Sequence, residues 1–555
     1  MARLDFGGRP STRIRQALGA IALLAAVVLS GMQLGLISPP QGGISLVGGT
    51  LPSGPGVLSE GVIGTLETPL PLFAASGADR AVVALSYRAL THLDSGGSPE
   101  PEVAASWSVA EDGLTWTFVV DPAAAWSDGT PVTPNDALFT IGVAGQLGLE
   151  GGYYDALSAE IGSDGASIVI RTPREVASLP VALGALPLLP AHIFEGLPID
   201  EIADSEAARR NVSSGPFQVT SISSSAAALT RRSDLLAGDL ARIAGAEGSV
   251  EAIALRFYPD GAAALDAWRR SEIDLVAGLN RDEVEAGVAH RGSSVELGST
   301  VFTGIATNLR PGAILRNSAL RRGLLALLDP EWITTRFGGS VARTPVSPLS
   351  WAWTEISPSK RGTDYATAQM TSAGWKAKEG LWVTKAGKTV SLEILTLPSV
   401  DHPADAAIAA QAAVAWTRFG IPTSVVEVDA TELDARLAAG DFTAAVLNVE
   451  VGIDPDLYPL FGSAAVLAGG NVAGIQVKQL DELLNAARKP AGVEVRREAL
   501  AAVQRWLAAA DYFLPIRFRG VELLTAERVQ RVTPLIVESV ETHLRDVLSF
   551  RIAAP

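Results

Sequence analysis

Apolar positions recur along this chain with two periods, and the way those periods alternate predicts its architecture. From 389 to 448 the switch is regular: 390–397 reads as a strand and 404–419 as a helix with Ile408, Ala412, Ala415 and Phe419 on one face. Residues 425–428 then read as a strand, 432–438 as a short helix and 442–448 as a strand. Strands alternating with helices predict a mainly parallel sheet covered on both faces. Helices are predicted at 479–487 and 494–509, the second with Leu500, Val503 and Leu507 as its buried stripe. Upstream, 253–257 alternates as a strand, 262–270 has helical spacing, and 271–275 opens another strand.

Residues 76–205 read as shorter strands and helices broken by turn signals. Leu114, Trp116, Phe118 and Val120 alternate with Thr115, Thr117 and Val119, the period of a strand with one buried face. Asp112-Gly113 and Asp128-Gly129 supply turns, and Thr133-Pro134-Asn135-Asp136 carries the signals of a helix start. Ala386-Gly387-Lys388-Thr389 is read as a hairpin turn, because Trp382 stands where a phosphate loop needs its first glycine. Arg316, Arg321 and Arg322 read as solvated helix charges.

Composition narrows the function. At 555 residues, 48% of them hydrophobic, the chain is too long for one core and too apolar for general disorder. A formal net charge of −16 disfavours nucleic-acid binding. The absence of cysteine excludes disulfides, thiolate metal sites and cysteine nucleophiles. His92, His192, His290, His402 and His543 are isolated, so no metal or cofactor is expected. No G-x-S-x-G elbow or acid–base carboxylate pair stands out, so an enzyme is not expected.

Arg3, Arg9, Arg13 and Arg15 precede an uncharged apolar run at 17–37, long enough to span a bilayer with the basic tail (1–16) in the cytoplasm. Met32 occupies the position a lipid-bearing cysteine would need, so lipidation is excluded. Either this helix is retained as a single-pass anchor, or a signal peptidase cuts near 38–43 and the protein is secreted or periplasmic. The lack of a small-x-small site favours the anchor. A Gly-, Ser- and Pro-rich linker follows over 38–60.

Within residues 93–139 the runs Pro99-Glu100-Pro101…Ser106-Trp107, Asp112-Gly113-Leu114-Thr115-Trp116-Thr117-Phe118 and Trp126-Ser127-Asp128-Gly129-Thr130-Pro131-Val132-Thr133 occur in order. Together they resemble the signature of extracytoplasmic solute-binding proteins of ABC importers, in the oligopeptide/dipeptide/nickel class (family 5). Ser271-Glu272-Ile273-Asp274 resembles that family's G-E-I-D, with serine for glycine. The resemblance implies a two-lobed periplasmic-binding-protein-like α/β fold of the large class II, with an extra subdomain in the first lobe. Lobe one would comprise 61–75, 206–300 and 515–555, the inserted subdomain 76–205, and lobe two 301–514. Crossings between lobes are expected at 301–309 and 513–518.

The implied function is capture of a peptide or other small solute between the lobes and its delivery to an ABC permease and ATPase, without bond chemistry, by a monomer. An anchored sensor uncoupled from transport, or an extracellular hydrolase, are the alternatives. By resemblance the ligand would touch Ala75, Ser76 and Gly77, then Asn448, Val449 and Glu450 ahead of Asp454. Phe302, Thr303 and Asn308 would face it from the crossing, and Trp351 and Trp353 would wall it. The family usually places an amine-anchoring aspartate where this chain has Val451, so Glu450 is the candidate replacement.

Overall fold

The computed structural model describes residues 51–555 apart from 95–97, 150–152, 244–246, 401, 467–469, 531, 533–535, 538 and 554–555. The apolar run at 17–37 lies outside the described residues. Among the described residues no helix is long and apolar enough to cross a membrane.

A twelve-stranded sheet runs through the described chain. In its first half, strand Val57–Ile63 pairs in parallel with Ala252–Tyr258 and with Leu275–Ala277. Antiparallel strands Ala226–Arg231 and Phe217–Ile222 extend that half outward. In the second half, Leu392–Thr396 lies parallel to Thr423–Glu427 and to Ala444–Glu450, as the alternating period predicts. Successive strand residues point to opposite faces, so each strand feeds two cores. Ile394, Ala444 and Val446 pack against Ile408, Ala412 and Trp416 of helix Pro403–Arg418. Leu395 and Ala445 pack against Leu433 and Leu437 of helix Ala430–Ala439.

Two long antiparallel strands, Ser293–Thr307 and Phe513–Thr525, join the halves. Ser293–Gly298 pairs with Gly520–Thr525 on the first half's side, and Phe302–Ala306 pairs with Phe513–Phe518 on the second's. Between them the register shifts, leaving 299–301 out of that ladder. Both strands are longer than the crossings read from sequence. The first begins with Ser293-Ser294-Val295-Glu296, whose mostly exposed side chains hide the apolar face that the period test needs.

The signature region forms a separate four-stranded sheet of Ala104–Val109, Thr115–Val120, Ser167–Arg171 and Ser158–Ile161. Trp116, Phe118 and Val120 are buried on one face, as their alternation requires. Complete burial of a side chain such as Phe118 is worth about 1.5–3 kcal/mol. Helix Pro134–Gln146 starts in a Thr133–Asp136 capping box. Asp136 also accepts from the Ala191 N–H at 2.8 Å, which ties the motif to the start of helix Ala191–Phe194.

Lys388 turns back on Thr384 through a backbone bond of 2.9 Å, so 384–388 is the hairpin turn expected. Ser271 adopts φ +60, in the left-handed region where the resembled motif carries glycine. Arg321 is a correction: it is 2% exposed rather than solvated. Its guanidinium donates to the carbonyls of Ala510 (3.2 Å) and Asp511 (2.7 Å), satisfying the end of helix Val493–Ala510.

Candidate functional site

A narrow cavity of about 70 Å³, partly open to solvent, lies beside the crossing strand Ser293–Thr307. Tyr87, His92, Glu102, Asp239 and Arg242 line it from the first half, Arg545 and Asp546 from the C-terminal turn, and Ile453 from the loop after strand Ala444–Glu450. Thr300 enters it from the crossing strand. Thr300 sits in the register shift, and a bulge of this kind frees a side chain from the ladder and re-aims it.

An ionic network forms the floor. Arg88 grips Asp239 with both terminal nitrogens, the longer contact at 3.0 Å, and Arg242 reaches the same carboxylate at 3.0 Å. Glu102 accepts from the Ala89 N–H at 3.0 Å and lies 3.9 Å from Arg88. Burial raises the Glu102 pKa against the pull of Arg88. Arg242 Nη1 donates to His92 Nε2 at 3.0 Å, so His92 carries its proton on Nδ1. Burial, reinforced by Arg242 and Arg545, pushes His92 down to about 3, so it stays neutral at physiological pH.

None of the ligand contacts expected by resemblance is among the residues lining this cavity. Ser76 caps helix Gly77–Ser86 by accepting from the Asp79 N–H at 3.0 Å, and Ala75 O accepts from Arg80 at 2.7 Å. Gly77 is required by close approach, since a Cβ there would stand 2.6 Å from Glu541 Oε1 and 2.8 Å from Ile63 O. Phe302 is fully buried, edge-on to Phe518, and Val449 packs against the same core. Asn308 donates to Gly440 O and Phe442 O, both at 2.9 Å.

Thr303 Oγ1 donates to Asn448 Oδ1 at 2.7 Å, and Asn448 Nδ2 donates to Asp405 at 2.6 Å. That network lies on the face covered by helix Pro403–Arg418. Glu450, two residues beyond Asn448 on the same strand, is exposed. Trp351 lies under the Arg496 guanidinium at 5.0 Å, and Trp353 is 39% exposed. Val451, at the usual amine-anchoring position, is packed in the core that also holds Phe302 and Phe461.

The loop that follows keeps its carboxylates engaged. Arg496 holds Asp454 through two contacts, and Arg488 holds Asp456 at 3.0 Å. Burial raises the Asp456 pKa while Arg488 opposes it. Arg488 and Arg174 both lie over the Tyr458 ring, at 4.8 and 5.4 Å, and Ala177 N–H donates to Arg488 O at 2.9 Å. Residues 174–177 thus meet the second half at Tyr458 and Arg488.

The lining carries no sequence signature, because its members are scattered from Ala84 to Asp546. His92 was visible only as a lone histidine, and Thr300 only as a polar residue just ahead of the predicted crossing.

A family model described as bacterial extracellular solute-binding proteins, family 5, middle, matches residues 98–465. The oligopeptide-binding protein AppA of Bacillus subtilis is 23% identical over 446 residues, covering 77% of this chain and 80% of that protein. The peptidoglycan-binding protein YepA of Agrobacterium fabrum is 22% identical over 471 residues, covering 73% and 74%. Among solved structures, B. subtilis AppA in complex with a nonapeptide superposes with a TM-score of 0.68 at 20% identity, covering 90% of this chain and 99% of that one. NikA from Brucella suis in complex with Fe(III)-EDTA gives 0.71 at 15% identity, covering 90% and 100%. These likenesses establish the two-lobed α/β fold.

Proposed function

The chain belongs to family 5 of the bacterial extracellular solute-binding proteins, and on that premise we propose that its solute site is the cavity lined by His92, Arg242, Thr300 and Ile453. Members of this family capture peptides or small solutes for ABC transporters, without an enzymatic step. The observation that supports the assignment is a cavity walled by the first half and its inserted segment and met by Thr300 of the bulged crossing strand and Ile453 of the second half. Closing the halves over a solute buries it, and opening them releases it. In this reading 61–75, 206–300 and 515–555 form one lobe, 76–205 its inserted subdomain and 301–514 the other lobe. The protein works as a monomer tethered outside the cytoplasmic membrane by the apolar helix at 17–37. In this reading Phe302, Thr303 and Asn448 brace the crossing strand behind the site, and Asp454 braces the loop that follows strand Ala444–Glu450.

Small-angle scattering with native mass spectrometry tests this. The protein as purified should carry a small solute, and stripping it should raise the radius of gyration. Replacing Thr300 by Trp, which fills the cavity, should abolish the adduct while the fold is retained by circular dichroism. A stripped protein whose scattering never changes, with an adduct that survives T300W, would remove the cavity from the function.

A further inference from the structure

The chemistry of the ligand follows from which groups in the cavity are already engaged. Asp239 is held by Arg88 and Arg242, and by the Leu236 N–H at 3.1 Å. Glu102 has the Ala89 N–H and Arg88, and Asp546 accepts from Ser549 Oγ at 2.8 Å. Across the cavity, Asp454 and Asp456 are committed to Arg496 and Arg488, and Val451 is apolar. At Asp239, Glu102, Asp454 or Asp456 an incoming ammonium would have to displace a guanidinium from a buried carboxylate, an exchange that costs more than it returns.

The buried lining atom left unmatched is a neutral one. Thr300 is 1% exposed and its Oγ1 has no hydrogen-bond partner. A buried hydroxyl left unmatched is costly, and a ligand group is the natural partner. Tyr87 lines the same cavity, and burial raises its pKa, so it stays an uncharged phenol. His92 is neutral, with Nδ1–H as its donor.

We propose that the cavity recognises an uncharged polar solute through amide or hydroxyl groups that bond to Thr300, and that a free α-ammonium plays no part in its recognition. This deepens the solute-capture reading and rests on it. A peptide whose amino end is blocked and a neutral saccharide share that chemistry, and the test separates them.

The full-length protein, stripped of bound solute, is offered three pools: free mixed tripeptides, the same peptides N-acetylated and C-amidated, and uncharged oligosaccharides. Retained species are read by native mass spectrometry. At least tenfold enrichment of a neutral pool over the free peptides is expected, and the pool retained identifies the source. Thr300→Val should lose that enrichment and Thr300→Ser should keep it, both variants melting like the parent. Tenfold preference for free-amine peptides, or enrichment unmoved by Thr300→Val, overturns the inference and leaves solute capture standing. Retention of nothing from any pool, with an unchanged scattering profile, overturns both.

Discussion

Arg496 and Asp454 form a two-contact ion pair, nearly closed to solvent, at the base of the loop whose next carboxylate, Asp456, is held by Arg488. The pair joins helix Val493–Ala510 to the loop after strand Ala444–Glu450, and Trp351 stacks on the same guanidinium. Asp454 is therefore braced between this loop and the helix.

Asp454→Asn should strand a buried guanidinium. The expected loss is about 3–5 kcal/mol of unfolding free energy, read from urea midpoints. Replacing both partners together, Asp454→Leu with Arg496→Met, should recover most of that loss, because the desolvation of both charges disappears with them. A double variant no more stable than the single would refute this account.

Ser271 holds a left-handed backbone conformation, which costs a non-glycine residue roughly 1–2 kcal/mol. Glycine removes that strain but loses about 0.5–1 kcal/mol to its greater unfolded freedom. Ser271→Gly should therefore stabilise by up to about 1 kcal/mol, whereas Ser271→Val should destabilise. A lower denaturation midpoint for the glycine variant would contradict the strain argument.

His543 is fully enclosed, with Nδ1 2.6 Å from Val540 O and Nε2 2.9 Å from Glu60 Oε1. Burial works against its charge, but Glu60 and the Val540 carbonyl outweigh it and raise its pKa above 6.5. The folded state thus holds the proton more tightly than the unfolded one. The resulting stability is fully present below pH 6.5 and is lost as pH climbs through the raised folded value. Parent and His543→Gln, melted from pH 5.5 to 9, should converge as pH rises. A parent advantage that grows with pH would reverse the assignment.

Tyr458 carries guanidinium groups from both sides of the seam where 174–177 meets the second half, Arg174 and Arg488. Each such contact is worth about 0.5–2 kcal/mol. Tyr458→Ala should therefore shift the unliganded protein toward open forms by roughly tenfold if a total near 1.4 kcal/mol is lost. The radius of gyration should rise in scattering while the melting transition stays cooperative. An unchanged radius would mean that the seam plays no part in closure.

The elements were legible where one period ran unbroken. The strands and helices between 389 and 448, the Thr115–Val120 strand and the Thr133–Asp136 helix start all follow from residue spacing. The functional lining was not, for a physical reason. The cavity is assembled from residues such as His92, Arg242 and Thr300, which become neighbours only after folding. Arg321 was misread because an arginine on a helix face looks alike whether it meets water or the carbonyl end of another helix. Local pattern records which face is apolar and is silent about what covers it.

Pro515 stands opposite Gly304 in the pair of crossing strands, a few residues from the register shift at 299–301. Proline has no N–H to offer, so the ribbon lacks a rung close to where its pairing already slips. Other strands splint the ribbon at that slip: Ser299 pairs with Val537 and Val301 with Glu450. Thr300, between them, belongs to none of these ladders, so the one rung left out of the weave is the one that faces the cavity.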